Sequence, residues 1–132
     1  MPEINWLAAI VAGIAGFFVG GLWYSPLLFG KIWMAETGID PAKPGGYHPA
    51  ITFGLGAAIS IIGAIVFAFF LGKAPALGFA VTVGVLTGLV WVGGSFAING
   101  FFERKSAKLI AINALYHTVQ FALFGLILGL WH

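Results

Sequence analysis

Asn113, Tyr116, His117 and Gln120 form a polar run at helical spacing inside a stretch otherwise suited to lipid. His117 is the member of this run whose charge changes near neutral pH, so it could relay protons, bind a macrocycle axially or hold a hydrogen bond between helices. Each role demands a partner, because a charged side chain in hydrocarbon costs about 2.5 to 3.5 kcal/mol on insertion scales and therefore faces a cavity or a polar neighbour. The elements that must supply that partner are set by the rest of the chain.

Hydrophobic residues make up 61% of the 132 and charged ones 8%. That leaves too little polar surface to clothe a soluble globule, so the sequence predicts an integral membrane protein. Crossing a hydrocarbon core of about 30 Å takes about 20 helical residues. Four segments qualify, at 5–28, 50–71, 76–98 and 107–131, which predicts an all-α polytopic protein built as an antiparallel four-transmembrane-helix bundle in one domain. The first segment has Glu3 where a signal peptide carries basic residues, and lacks a convincing small-residue cleavage site, so it is expected to be retained.

The substantial connection is the loop 29–49, where Gly38, Pro41, Pro44, Gly45 and Gly46 break regular structure. Lys31, Lys43, Arg104, Lys105 and Lys108 fall on the side of the first and third loops and Lys73 on the other. By the positive-inside rule those loops are cytoplasmic and both termini face outward. Ser106 is a candidate N-cap for the fourth helix, and Arg104, Lys105 and Lys108 read as an anchor for anionic headgroups.

Small residues recur every four positions: Ala8, Ala12, Gly16 and Gly20, then Gly56, Ser60, Ala64 and Ala68, then Ala76, Ala80, Gly84 and Gly88. Gly125 and Gly129 give a shorter ridge on the fourth helix. Such ridges let helix backbones approach closely and predict tight packing within the bundle or against a second protomer. The first and third series, each followed by a tryptophan (Trp23 and Trp91), match at one fixed offset, as a duplicated hairpin would; shared packing needs would produce the same match.

The stretch from Trp23 to Trp33, Trp-Tyr-Ser-Pro-Leu-Leu-Phe-Gly-Lys-Ile-Trp, describes a helix end turning into an interfacial segment, with Trp23, Tyr24 and Trp33 as anchors there and Trp131 at the opposite surface. Together with the opening Asn5-Trp6-Leu7 and the closing portion from Phe102-Glu103-Arg104 through Tyr116-His117 to Gly129-Leu130-Trp131, it resembles a family of small bacterial membrane proteins catalogued as domain of unknown function 1761. The resemblance implies a four-helix protein of a bacterial inner membrane, whose outward-facing termini would then be periplasmic, and brings no activity, cofactor or catalytic residue.

At about 1.5 Å of rise per residue, His117 lies about 15 Å from the basic-loop end of its helix, level with Ser60 and Thr87. Tyr24, Ser95, Asn99 and Asn113 are shallower, so a polar seam of Tyr24, Ser95, Asn99, Asn113, Tyr116, His117, Thr87 and Ser60 is available, extended outward by Gln120. It would serve as interhelical hydrogen bonding or as a proton or small-solute path. The four acids, Glu3, Glu36, Asp40 and Glu103, all fall at interfaces or in loops, which argues against an ion-coupled pump. A haem or chlorophyll-type ring on His117 is a further alternative to the expectation of no cofactor, with His48 and His132 at opposite surfaces and unable to complete a bis-histidine site. No metal site is expected; His48 with Asp40 lacks ligand spacing.

No nucleophile, base and orienting acid occur together, and no phosphate-binding loop is present, so no enzyme is expected. Six basic residues are too few for a nucleic-acid surface, and with no cysteine, thiolate chemistry is excluded. The expectation is a structural or binding subunit in the lipid bilayer, self-associating or accessory to a larger membrane complex. The alternative is passive or proton-linked permeation along the His117 seam.

Overall fold

A computed structural model of the protein describes residues 3–132, which are helical apart from short connections. The elements are α1 (Trp6–Trp23), α2 (Gly30–Thr37), α3 (Pro49–Leu71), α4 (Leu77–Leu86), a π-helical segment (Thr87–Val92), α5 (Gly93–Phe102) and α6 (Ala107–Leu130). α4, the π segment and α5 run on as one span, Leu77–Phe102, so four helices are long and apolar enough to cross a membrane.

Local chemistry sets the boundaries. Asn5 caps α1 by accepting from the Ala8 amide, His48 caps α3 by accepting from Ala50, and Ser106 caps α6 by accepting from Leu109. α1 ends at Trp23 rather than running on to residue 28. Pro26 has no N–H to donate and its ring would collide with the Leu22 carbonyl, so the helix cannot continue through it; the Ser25 hydroxyl satisfies that carbonyl instead, at 2.6 Å. The segment 29–49, expected as loop, contains the eight-residue helix α2. Its start is fixed by Gly30, where a Cβ would overlap the Tyr24 carbonyl, and its end by Gly38 at φ 72°. The third span starts at Leu77 and reaches Phe102, four residues beyond the expected end.

α6 is the hub. α1 packs on one side of it and the α4–α5 span on another, while α3 packs mainly on α1 and touches α6 only slightly. The helices therefore form a curved row, α3, α1, α6, α4–α5. The two ends of the row, α3 and α4, follow each other in sequence yet stand apart across an open groove. Ala8, Ala9, Ala12, Ala64, Phe67, Ala68, Phe124 and Leu128 make the core, all in the half of the molecule that carries the termini. Four of the α1 and α3 alanines there are fully buried. Their small size lets the two backbones close on each other, which gives dispersion contacts that lipid cannot match.

Candidate functional site

The opposite half, toward the α1–α2 and α5–α6 connections, holds the polar groups. Residues Tyr116, Gln120 and Phe124 recur every four positions and lie buried on the α1-facing side of α6. Gly16 and Gly20 leave room for them: a Cβ on Gly20 would fall 2.7 Å from the Tyr116 hydroxyl, and one on Gly16 2.7 Å from the Phe124 ring. With the rings seated on backbone, the Tyr116 hydroxyl donates to the Gly16 carbonyl at 2.9 Å and Trp23 Nε1 donates to the Ile112 carbonyl at 3.0 Å. Tyr24 donates to Asn113 Oδ1 at 2.7 Å, and Ser106, across the connecting turn, donates to Glu36 of α2.

His117 ends a relay with a defined direction. The Ser60 hydroxyl donates to the Gly13 carbonyl at 2.8 Å, and Gln120 Nε2 donates to that hydroxyl at 3.1 Å. Gln120 Oε1 is thereby the acceptor for His117 Nδ1, 2.7 Å away. The proton of the neutral imidazole therefore sits on Nδ1, and Nε2 carries the lone pair. Phe96 stacks on the imidazole, with centroids 5.1 Å apart and planes 13° from parallel, and Tyr116 flanks it at 4.8 Å.

The expected seam is thus assembled in part. Tyr24, Asn113, Tyr116, His117, Gln120 and Ser60 lie along one track through α1, α3 and α6. Ser95 does not join it; its hydroxyl turns back to the Trp91 carbonyl of its own helix at 2.7 Å. Thr87 has the right depth, since Gly88 beside it rests on the His117 carbonyl, but it lines the α3–α4 groove. Asn99 lines a separate cavity with Asn113 and Phe96 at the α5–α6 end. The track ends at the Gly13 carbonyl, and the alanine–phenylalanine core fills the half beyond.

Gly84, Gly88, Gly125 and Gly129 all sit where α4 and the π segment meet α6, and added methyls there would overlap the facing backbone at Phe121, His117, Ala80 and Leu77. Gly56 makes room for the Phe17 ring. Trp33 packs edge-on against Tyr24 at 6.1 Å, and Trp131 is exposed at the opposite end. Two contributors escaped the sequence reading: Gly13, whose backbone meets Ile61 directly, and Phe96. Gly13 lies one turn before Gly16 and could have been found by that spacing; nothing local marks Phe96.

A macrocycle on His117 would need Nε2 to open onto a large cavity. His117 lines neither the groove nor the α5–α6 cavity, and the face of its ring is covered by Phe96. The arrangement does not fit such a ring. Among the described residues there is also no cluster of three His, Cys, Asp or Glu side chains that could hold a metal ion.

A helical row with its polar side chains paired internally and its outer faces apolar is a polytopic all-α membrane protein. The chain belongs to the family described as Protein of unknown function (DUF1761), whose model matches residues 7–129. No curated protein and no solved structure matches it.

Proposed function

We propose that the protein is a structural or binding subunit of a bacterial inner membrane, associating with itself or with a larger membrane complex. The observation that carries this reading is the open groove between α3 and α4, about 600 Å³, walled by Val66, Phe67, Phe70, Val83, Trp91 and Phe121. Aromatic and branched side chains there present a shaped apolar surface without a helix of this chain against it. Close packing against a helix gains contacts that mobile acyl chains supply less well. The internal hydrogen bonds support the same reading, because a subunit needs its polar groups to fix helix register rather than to conduct. The basic residues of the first and third connections favour an orientation with both termini outside.

The native chain has no cysteine, so single introduced cysteines report cleanly. Val66→Cys and Trp91→Cys, in the groove, are expected to cross-link in native membranes to a second copy or to a reproducible partner, and Phe18→Cys on the far lipid face of α1 is not. Uniform labelling by lipid-soluble reagents with no cross-link at either groove position argues the proposal down. Impermeant thiol reagents applied to intact cells should reach a cysteine at His132 and miss one at Lys43; the reverse pattern inverts the orientation.

Permeation along the polar track is the competing reading, and the ionisable His117, joined through Gln120 to Ser60 in the interior of the helical row, favours it. Proteoliposomes of the wild-type protein are expected to show no proton or small-solute flux above empty vesicles. Flux that disappears in His117→Ala would replace the subunit reading.

A further inference from the structure

The connection between α5 and α6 is a rigid backbone device. Arg104 adopts φ 60°, the Lys105 amide donates to the Gly100 carbonyl at 2.8 Å and the Arg104 amide to the Phe101 carbonyl at 3.2 Å. These are the paired hydrogen bonds of a Schellman motif, here with arginine in the left-handed position that glycine usually takes. The motif fixes Glu103 and Lys105 on either side of one turn. Both side chains line a cavity of about 190 Å³ between α5 and α6, yet they do not pair with each other: among the described residues the ion pair is Lys73 with Glu3, at the other end of the molecule.

Deeper in the same cavity stand Asn99, Asn113 and Phe96. The Asn113 carbonyl oxygen is occupied by the Tyr24 hydroxyl, which leaves its amide N–H groups as the donors that remain. Asn113 lies six residues into α6, about 10 Å along its axis at the helical rise. The cavity therefore spans the headgroup and glycerol levels of the adjacent leaflet. It offers a cation and an amide donor suited to a phosphate, a carboxylate and an amide suited to an ammonium, and apolar walls at Phe96, Leu109 and Ile110.

We propose that this cavity binds the headgroup of an ethanolamine phospholipid, with the phosphate on Lys105 and the Asn113 amide and the primary ammonium on Glu103 and Asn99. A phosphate ester bearing a primary ammonium a few atoms away bridges the two unpaired charges in a way that choline, which has no N–H to donate, cannot. The glycerol and first methylenes would lie against Phe96. This site is independent of the α3–α4 groove and of any partner there.

The test is native mass spectrometry of the full chain in detergent micelles. Ethanolamine, choline and glycerol phospholipids of identical acyl chains are titrated in, with thermal unfolding run alongside to confirm folding of each variant. One ethanolamine lipid is expected to bind about tenfold more tightly than the choline lipid. Glu103→Gln should remove that preference while leaving choline-lipid binding unchanged, and Lys105→Gln should weaken all three. Both substitutions lie in an exposed turn, and Glu103→Gln is isosteric. Equal affinity for ethanolamine and choline lipids, or a preference that survives Glu103→Gln, overturns the proposal. Soluble glycerophosphoethanolamine supplies the remaining arm. Failure to displace the lipid at millimolar concentration supports a membrane source, and displacement at the lipid's own affinity assigns the cavity to a free phosphate ester instead.

Discussion

The two sides of α6 are packed by different physics. Toward α1 the contact is made by rings and hydrogen bonds: Tyr116 and Phe124 fill the space left by Gly20 and Gly16, and Tyr116, Trp23 and Tyr24 donate across the interface. Toward α4 the contact is backbone on backbone, with glycines contributed by both helices and the polar residues nearby, Ser95 and Thr118, bonded to carbonyls of their own helices. The first interface is specified by a few directional bonds and tolerates adjustment, since a ring end can swing. The second has no slack, because the atoms in contact are main chain.

The steepest response is therefore expected at the α4–α6 contact. Gly88→Leu and Gly125→Leu drive a side chain into the His117 and Ala80 carbonyls, and each should cost about 3 kcal/mol, the upper end for overpacking. Reversible unfolding in mixed micelles measures it, and a loss under about 1 kcal/mol, the cost of a tolerated swap, would mean that the Leu77–Phe102 span does not seat on α6 through these glycines.

Gly20→Ala probes the softer side. The methyl meets the far end of Tyr116 rather than main chain, so a cost of about 1 to 2 kcal/mol is expected. Tyr116→Phe should account for part of it, because one interhelical hydrogen bond within a membrane is worth about 0.6 kcal/mol and at most about 1.7. A Gly20→Ala, Tyr116→Phe double-mutant cycle that shows strict additivity would break the argument that the glycine exists to seat the tyrosine.

Smaller still is the relay. Ser60→Ala and Gln120→Leu are expected to couple by about 0.6 kcal/mol, read from the same unfolding experiment. The smallest effect belongs to Gly54→Ala and Gly78→Ala, where an added methyl meets nothing within 4 Å; stability should stay within about 0.5 kcal/mol or rise slightly. A large loss there that appears only at concentrations where the protein associates would identify those faces as contacts between copies.

The apparent repeat between the first and third helices shows what equal spacing does and does not fix. Ala80, Gly84 and Gly88 press on α6 as Gly16 and Gly20 do, so the small-residue ridges were legible as packing surfaces. The tryptophans that close the two series part company. Trp23 is half-buried and bonded to α6, whereas Trp91 is 74% exposed and lines the groove. Between Gly88 and Trp91 the chain is π-helical. A π turn holds more residues than an α turn, so each residue advances through a smaller angle and Trp91 is rotated away from the face that its spacing suggests. Ser95, beyond the π segment, left the seam for a related reason: depth along a helix follows from counting residues, but azimuth does not survive a local change of helix type.

What the sequence determined by itself was the solvent and the elements. Four apolar runs of spanning length, the last opened by Ser106 as its N-cap, have one low-energy solution in hydrocarbon, because a backbone without water must bond within its own helix. The small-residue ridges and the one mid-membrane imidazole were equally plain. Only the tertiary structure decided which helices meet. Apolar helix faces are interchangeable to lipid, so the placement of α6 as the hub, the separation of α3 from α4, the stacking of Phe96 on His117 and the direction of the His117 relay depend on how ridges and rings interlock across distances of up to 100 residues in the chain.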